Sequence, residues 1–418
     1  MQQHQTEVLV VGAGPVGMLT ALLLAKAGIR TQIIDKEART AGHSYACGLH
    51  PRTLKLLEQV GLAGQAMQMG RRINRIGFYS GGARLGELNL SSLQTDFPFV
   101  LVLEQGQLED LLEARLRQAG VNVQWNHRLG DLDEDSSGVT ATIERLGASG
   151  QGYVVPHFDL GVVESTETRA NYVVGADGFN SMVRERLKIK FESAGDRQVF
   201  AVYEIESDTN CGDEMKIILG ESTTSVMWPF TDNKCRWSFQ LLAEDAPEIF
   251  PAKNRTHFII EDTGGAEESL QRFERLLKDR APWFAGNVRG VDWRTNIQFG
   301  HQLAGSFGSG RCWLAGDAAH QTGPVGMQSM NAGIQEAADL AGALAKILRD
   351  QANKSLLQAY ADNHQAEWRR LLHLDSAPQV APAAGKWVQG NSAKIPECLP
   401  ASGPDLTNLL NQLGLAIA

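Results

Sequence analysis

Apolar residues along this chain recur in two rhythms, a continuous or alternating run of four to eight and a helical spacing of three and four. Val8 to Val11 is an unbroken apolar run, the pattern of a strand buried on both faces. Met18 to Ala27 is rich in Leu and Ala and predicts a helix that Gly28 ends. Thr31 to Ile34 predicts a second strand, closed by Asp35. Pro51 to Val60 places Leu54, Leu57 and Val60 at helical spacing and stops at Gly61. Ile73–Tyr79 and Ala83–Leu90, joined through Gly81-Gly82, predict a hairpin. An apolar run from Phe97 to Leu103 precedes a strongly patterned helix, Gln107 to Ala119, which Gly120 ends. Val121–Trp125 and Val139–Leu146 read as strands, the segment 147–152 (GASGQG) as a flexible turn.

Further on, Tyr172 to Ala176 is an apolar run into Asp177-Gly178. From Phe200 to Leu242 strand patterns dominate: FAVYEIE, MKIILG, TSVMWPF and CRWSFQLL. Helical spacing returns over Glu267–Lys278, Asn331–Leu348 and Leu356–Leu374. After Asp375 the chain turns to Pro, Ala, Gly and Ser, which predicts an irregular tail. A last apolar segment, Leu406 to Ile417, is expected to dock as a helix on the chain's own core, with homodimerisation as the alternative. A βαβ start, a block of strands and then helices predict an α/β protein: one parallel-sheet domain interrupted by a mostly antiparallel insert.

Composition narrows the function classes. At 418 residues the chain can bury a large core and build two domains. A formal net charge of −9 argues against a general nucleic-acid binder, which needs clustered Lys and Arg. Five scattered cysteines (Cys47, Cys211, Cys235, Cys312, Cys398) show no metal spacing, so no metal site is expected. They read as reduced thiols of a cytoplasmic protein. No signal peptide and no membrane span are expected from the pattern.

Three stretches carry chemistry. The first, Gly12-Ala13-Gly14-Pro15-Val16-Gly17, joins the first strand to the first helix. Gly12 permits the tight turn, Gly14 lets backbone approach a pyrophosphate, and Gly17 lets helix and strand pack closely. The helix start offers free N–H groups and a positive dipole end to phosphates. Asp35 then stands near the offset expected of a carboxylate that holds ribose hydroxyls. This arrangement points to a dinucleotide without separating NAD from FAD. The second stretch, Gly310 to Asn331 (GRCWLAGDAAHQTGPVGMQSMN), is a strand into the turn Gly316-Asp317, where open α/β sheets bind ligands. The third, Tyr172 to Ser181 (YVVGADGFNS), is a strand into a Gly-Asp-Gly turn and a helix.

In this order the three stretches resemble the class A flavoprotein monooxygenases, the para-hydroxybenzoate hydroxylase-like group, over about Glu7 to Leu348. The resemblance implies a Rossmann-type FAD-binding domain from 1–72, 101–182 and 300–348. It implies a sheet domain for the substrate from 73–100 and 183–299, and C-terminal helices and a tail from 349–418. It implies that Gly12, Gly14, Pro15, Val16, Gly17, Asp35 and Lys36 hold the ADP half of FAD. Gln105 of a Gln-x-x-Leu-Glu helix entry would contact FAD, and the backbone of Leu129 would face adenine. Asp177 belongs to a stretch linked to both FAD and NAD(P)H. Gly316 and Asp317 would bind the ribityl region, and Pro324, Gly326 and Met327 would lie by the ring. NADH or NADPH would reduce FAD. The reduced flavin would capture O₂ as a C4a-hydroperoxide and hydroxylate an aromatic or polycyclic small molecule.

The sequence departs from the family in three places. Met327 stands where glycine is usual. Tyr45 or a neighbour replaces an Arg, with Arg52 as the candidate substitute. The larger members' thioredoxin-like domain is not expected, so the chain resembles the shorter branch. The alternatives are a flavin-dependent halogenase or reductase of the same fold, or a non-catalytic flavin-binding protein. A halogenase would carry a Trp-x-Trp-x-Ile-Pro segment, which the sequence lacks. Trp228 and Phe230 read equally as pocket lining over the flavin and as ordinary sheet packing. His320, His43 and His50 read first as hydrogen-bonded structural histidines, and Trp293 and Arg294 as structural.

Overall fold

The computed structural model describes residues 4–41, 46–148, 160–231, 233–242, 259–260 and 266–417. His43 and Tyr45 lie outside them, as does most of the 147–152 turn. Within the described residues the strand that precedes this turn continues to Ala148.

Two sheets position everything else. The first has six strands in the order Gly308–Ser309, Cys312–Leu314, Tyr172–Gly175, Val8–Val11, Thr31–Ile34 and Val123–Gln124. Its pairs are parallel except the first. Val8, Leu9 and Val10 are fully buried, as strands covered by helices on both faces must be. The helix Pro15–Lys26 packs against Gln105–Gln118 and against the long helix Gln328–Asp350. It is apolar almost all round, which fits a helix buried between two others.

The second sheet has eight strands, in the order Ile259–Ile260, Val288–Phe299, Gln198–Ser207, Lys234–Leu241, Thr224–Pro229, Glu214–Leu219, Arg75–Ser80 and Ala83–Asn89. Its pairs are antiparallel except Glu214–Leu219 with Arg75–Ser80. Side-chain alternation divides its two faces. Tyr203, Trp237 and Phe239 point to the helix Ala266–Arg280, where Phe273 meets all three rings. Phe200, Val202 and Trp228 point the other way and share one core with the first sheet. The interior between the two sheets is therefore continuous. A third sheet of four strands, including His127–Glu134 and Leu160–Ala170, flanks the first and carries Leu129.

The segment after Asp375 departs from the irregular tail its composition predicts. It forms short helices at Lys386–Gly390 and Ile395–Cys398 and a longer one at Gly403–Gln412. The expected helix over Leu406–Ile417 ends at Gln412, and Leu415–Ala416 pairs with Gln379–Val380 as strands. Long-range contacts explain the difference. Leu399, Leu409 and Leu410 are fully buried against the body of the chain, and Trp387 packs on Phe78 at 5.0 Å.

Candidate functional site

At the carboxyl ends of the six-stranded sheet lies a cavity of about 590 Å³. Gly12, Gly14, Asp35, Lys36, Leu129 and Asp177 are among the residues that line it. Gly12 has φ +104°, and a Cβ there would overlap the Ala176 carbonyl, so only glycine makes this turn. Gly14 is different: its backbone is extended, and a Cβ on it would meet nothing within 4 Å. It borders open space, as a phosphate cradle should. The helix that follows has no side-chain cap at Gly14 and no acid in its first turn. Its first N–H groups thus face the cavity edge with a positive dipole end.

Asp35 closes its strand half-buried, accepting hydrogen bonds from the Ala13 N–H (2.6 Å) and the Glu37 N–H (2.8 Å). It thus ties the glycine turn to the second strand while lining the cavity. Lys36 is exposed at the rim, and Leu129 is buried beside an irregularity in its strand. The Asp177 carboxylate accepts from Ser181 Oγ and from the Met182 and Val183 N–H groups. It holds the start of the helix Met182–Arg186 while lining the cavity. Gln105 donates to Glu109 Oε1 at 2.7 Å, and Glu109 Oε2 accepts from the Ala41 N–H at 2.7 Å. Burial pushes the Glu109 carboxyl above the ordinary range against these bonds.

The second motif lies against the first across some 300 residues of sequence. A Cβ on Gly316 would touch Val16 at 3.0 Å, and one on Gly333 would touch both Gly316 and Val16 at 2.8 Å. The long helix therefore passes directly over the Gly316–Ala318 turn that carries the half-buried Asp317. Glu336 holds this turn from the helix. Its carboxylate accepts from the Gly316 N–H at 2.8 Å, from Trp368 Nε1 at 2.9 Å and from His320 Nε2 at 2.8–2.9 Å. Burial pushes the Glu336 carboxyl up, but the His320 ring and these donors bring it below its usual value. His320 is fully buried, stacked on Trp368 at 3.9 Å.

Beyond that turn, Pro324, Gly326 and Met327 lead into the long helix and are all buried. Met327 sits at its N-cap in the left-handed region, φ +54°, ψ +35°. That conformation costs a non-glycine residue about 1–2 kcal/mol. Packing outweighs the cost: Met327 is 3% exposed, and a buried Met is worth roughly 2–5 kcal/mol over Ala. Its side chain and the Trp228 ring converge on Gly48, where a Cβ would meet Trp228 at 3.1 Å and Met327 Cγ at 3.4 Å. Gly326 backs onto the Glu397 and Leu399 carbonyls of the C-terminal segment, leaving no room for a Cβ.

Two side chains that the motifs only hinted at hold this corner. Asn331 donates to the Gly48 and Met327 carbonyls, both at 2.8 Å, and accepts from the His50 N–H and Thr53 Oγ1. His50 Nε2 lies 2.9 Å from the Gly326 carbonyl, so it carries the proton and donates. Burial drives the His50 pKa down to about 3, which keeps the ring neutral. Arg52 is not among the residues that line the cavity at the carboxyl ends of the six-stranded sheet; its guanidinium lies beside Gly403 and 3.9 Å from Glu367. Phe230 is nearly buried, with its ring 5.1 Å from the Arg236 guanidinium carbon. Among the described residues there is no cluster of metal-ligating side chains, and no helix is long and apolar enough to cross a membrane.

Comparison with known proteins converges on one family. The FAD binding domain family profile matches residues 5–374. The 6-methylpretetramide 4-monooxygenase of Streptomyces rimosus is 32% identical over 376 residues, covering 88% of this chain and 60% of that enzyme. The para-nitrophenol 4-monooxygenase of Pseudomonas sp. (strain WBC-3) is 26% identical over 387 residues, 91% of this chain and 87% of that enzyme. The chain thus spans about three fifths of the length of some curated relatives and most of others. The crystal structure of p-nitrophenol 4-monooxygenase from Pseudomonas putida DLL-E4 superposes with a TM-score of 0.73 at 22% identity, covering 99% of this chain and 95% of that one. At that identity the likeness establishes the fold.

Proposed function

This chain belongs to the FAD binding domain family of class A flavoprotein hydroxylases, and from that premise we propose that it is an FAD-dependent monooxygenase. It would take electrons from NADH or NADPH and place one oxygen atom of O₂ on an aromatic or polycyclic small molecule. The observation that carries the reading is the junction at Val16, Gly316 and Gly333, which joins the two nucleotide motifs into one track. On this reading the track would run from Asp35 and Leu129, past the open Gly14, over the Gly316–Asp317 turn, to Met327. That is the order of adenosine, pyrophosphate, ribityl and ring in FAD, and the cradle at Gly14 fits a phosphate.

FAD, when bound, supplies the transfer of electrons from nicotinamide to oxygen. The chain supplies position and dryness. Asp35 and Leu129 would hold the adenosine end, and the N–H groups after Gly14 the phosphates. Asp317 would accept from ribityl hydroxyls. The N-terminus of Gln328–Asp350 would face the ring and favour negative charge on it. Trp228, Phe230 and Met327, all buried, would exclude water from the space before the ring. All five cysteines are free and buried, which supports a cytoplasmic setting.

The test is a substrate screen on the FAD-loaded protein. One aromatic compound is expected to stimulate NADH or NADPH consumption and to gain the mass of one oxygen atom, with the label when ¹⁸O₂ is supplied. Flavin binding with no compound stimulating consumption would favour a non-catalytic flavin protein instead.

A further inference from the structure

The eight-stranded sheet turns a patch of buried polar groups toward Cys47, Gly48 and Met327. Arg236 is only 1% exposed. Its Nε donates to Glu204 Oε1 at 2.9 Å, and its Nη2 contacts the same oxygen. Phe230 and Trp293 flank the guanidinium at 5.1 and 5.6 Å, and the Cys47 thiol lies within reach of its charge. Apart from the Cys47 thiol, a weak partner that contacts the guanidinium, Arg236 Nη1 finds no acceptor among the described residues, and neither do Trp228 Nε1 and Ser238 Oγ, all three buried. Glu204, Arg236 and Trp228 stand opposite one another on three neighbouring strands, and Ser238 is two residues beyond Arg236 on the same face.

Buried donors are rarely left without acceptors, and each such group needs an explanation. Here three donors share one face at the place where the substrate would meet the ring. The charge of Arg236 is already balanced by Glu204. A carboxylate brought to this patch would put two negative charges on one guanidinium in a dry interior, which is unfavourable. An uncharged oxygen gains the free N–H groups without that repulsion.

We infer that Arg236, Trp228 and Ser238, with Glu204 balancing the arginine, form a substrate-positioning site that selects an uncharged oxygen acceptor on the aromatic substrate over a carboxylate. A ring ketone, a quinone carbonyl or an un-ionised phenol has the required chemistry. The inference rests on the monooxygenase reading for the identity of the ligand as substrate, while its test reads binding alone.

The experiment titrates the FAD-loaded protein with matched pairs in which only one member carries an uncharged oxygen acceptor and the other only a carboxylate, acetophenone against benzoate and 9,10-anthraquinone against anthracene-2-carboxylate. Dissociation constants come from the change in flavin absorbance. The ketone or quinone of at least one pair is expected to bind at least tenfold more tightly than its carboxylate. Glu204→Gln leaves the arginine unbalanced and is expected to shift that ratio at least tenfold toward the carboxylate, a change that a merely structural role would not produce. Trp228→Phe keeps an aromatic ring, smaller than the indole, but loses the N–H, and is expected to weaken the ketone at least threefold and the carboxylate less. It serves as the test if Glu204→Gln fails to fold.

Equal or tighter binding of the carboxylates, a ratio unchanged within twofold in both variants, or no binding of any of the four overturns the inference. Selective binding together with no compound of the substrate screen stimulating NAD(P)H consumption would overturn the monooxygenase reading and leave the recognition standing. Consumption stimulated equally by both members of each pair, at equal affinity, would do the reverse.

Discussion

At the scale of single residues, Gly14 separates a proposed ligand contact from a packing contact. Gly12 and Gly17 are hemmed in by backbone, so substituting them tests only the fold. Gly14 has φ −72° and ψ −177°, which any residue adopts, and space around it. Gly14→Ala should therefore leave the ligand-free chain as stable, or more stable by about 0.4–1 kcal/mol, by denaturant melts. Titration with FAD should show affinity reduced at least tenfold, or ~1.4 kcal/mol. Unchanged affinity would remove the phosphate from this turn.

His50 makes a prediction in pH. Its folded pKa is depressed to about 3, while the unfolded ring titrates near 6.5. Below that value the unfolded chain binds a proton that the folded chain refuses. The stability is thus fully present above pH 6.5 and is lost as pH falls toward the folded pKa. Between pH 6.5 and 5 the loss should be about 2 kcal/mol. His50→Gln keeps an N–H for the Gly326 carbonyl and does not titrate. Its loss over the same interval should be smaller by that amount, measured by urea unfolding at the two pH values.

At the scale of elements, the junctions between helices and turns hold the proposed site together. Glu336 on the long helix gathers donors from a turn, a strand and a second helix. Glu336→Ala would strand three buried donors at about 1–3 kcal/mol each, so a loss on the order of 3–5 kcal/mol is expected in chemical denaturation. Such a loss is large against a typical total of about 5–15 kcal/mol. A loss under 1 kcal/mol would show that the Gly316 turn is held by other means.

How far the sequence shows these elements follows from their physics. The parallel strands are legible because burial on both faces leaves an unbroken apolar run, as at Val8–Val11 and Tyr172–Gly175. The C-terminal segment is not legible: its Pro, Gly and Ser favour turns, and its order comes from contacts such as Gln328 Nε2 with the Leu399 and Ala401 carbonyls. The Glu204–Arg236 pair lies 32 residues apart, with no local pattern to join it, and only an Arg inside the run CRWSFQLL marked the place. Glu336 looks like any helix acid until the packing of Trp368 and His320 buries it.

At the scale of the whole molecule, the proposed cofactor track and the polar patch lie on two sheets that share a single continuous interior. The glycine turn lies some 300 residues from the Gly-Asp turn and the long helix, yet Val16, Gly316 and Gly333 meet through contacts too close for a side chain. On the proposed reading the track would set the order of the ligand's parts, and the second sheet would set what stands before its ring. Met327 and Trp228 meet at Gly48, on the boundary between the two.

The measurement that tests this account most directly is a crystal structure of the chain with FAD. The account predicts adenine beside Leu129, ribose at Asp35, phosphates over the N–H groups after Gly14, the ribityl chain at Asp317 and the ring at Met327. FAD lying along another path, or a nicotinamide nucleotide occupying this track with FAD absent, would contradict it.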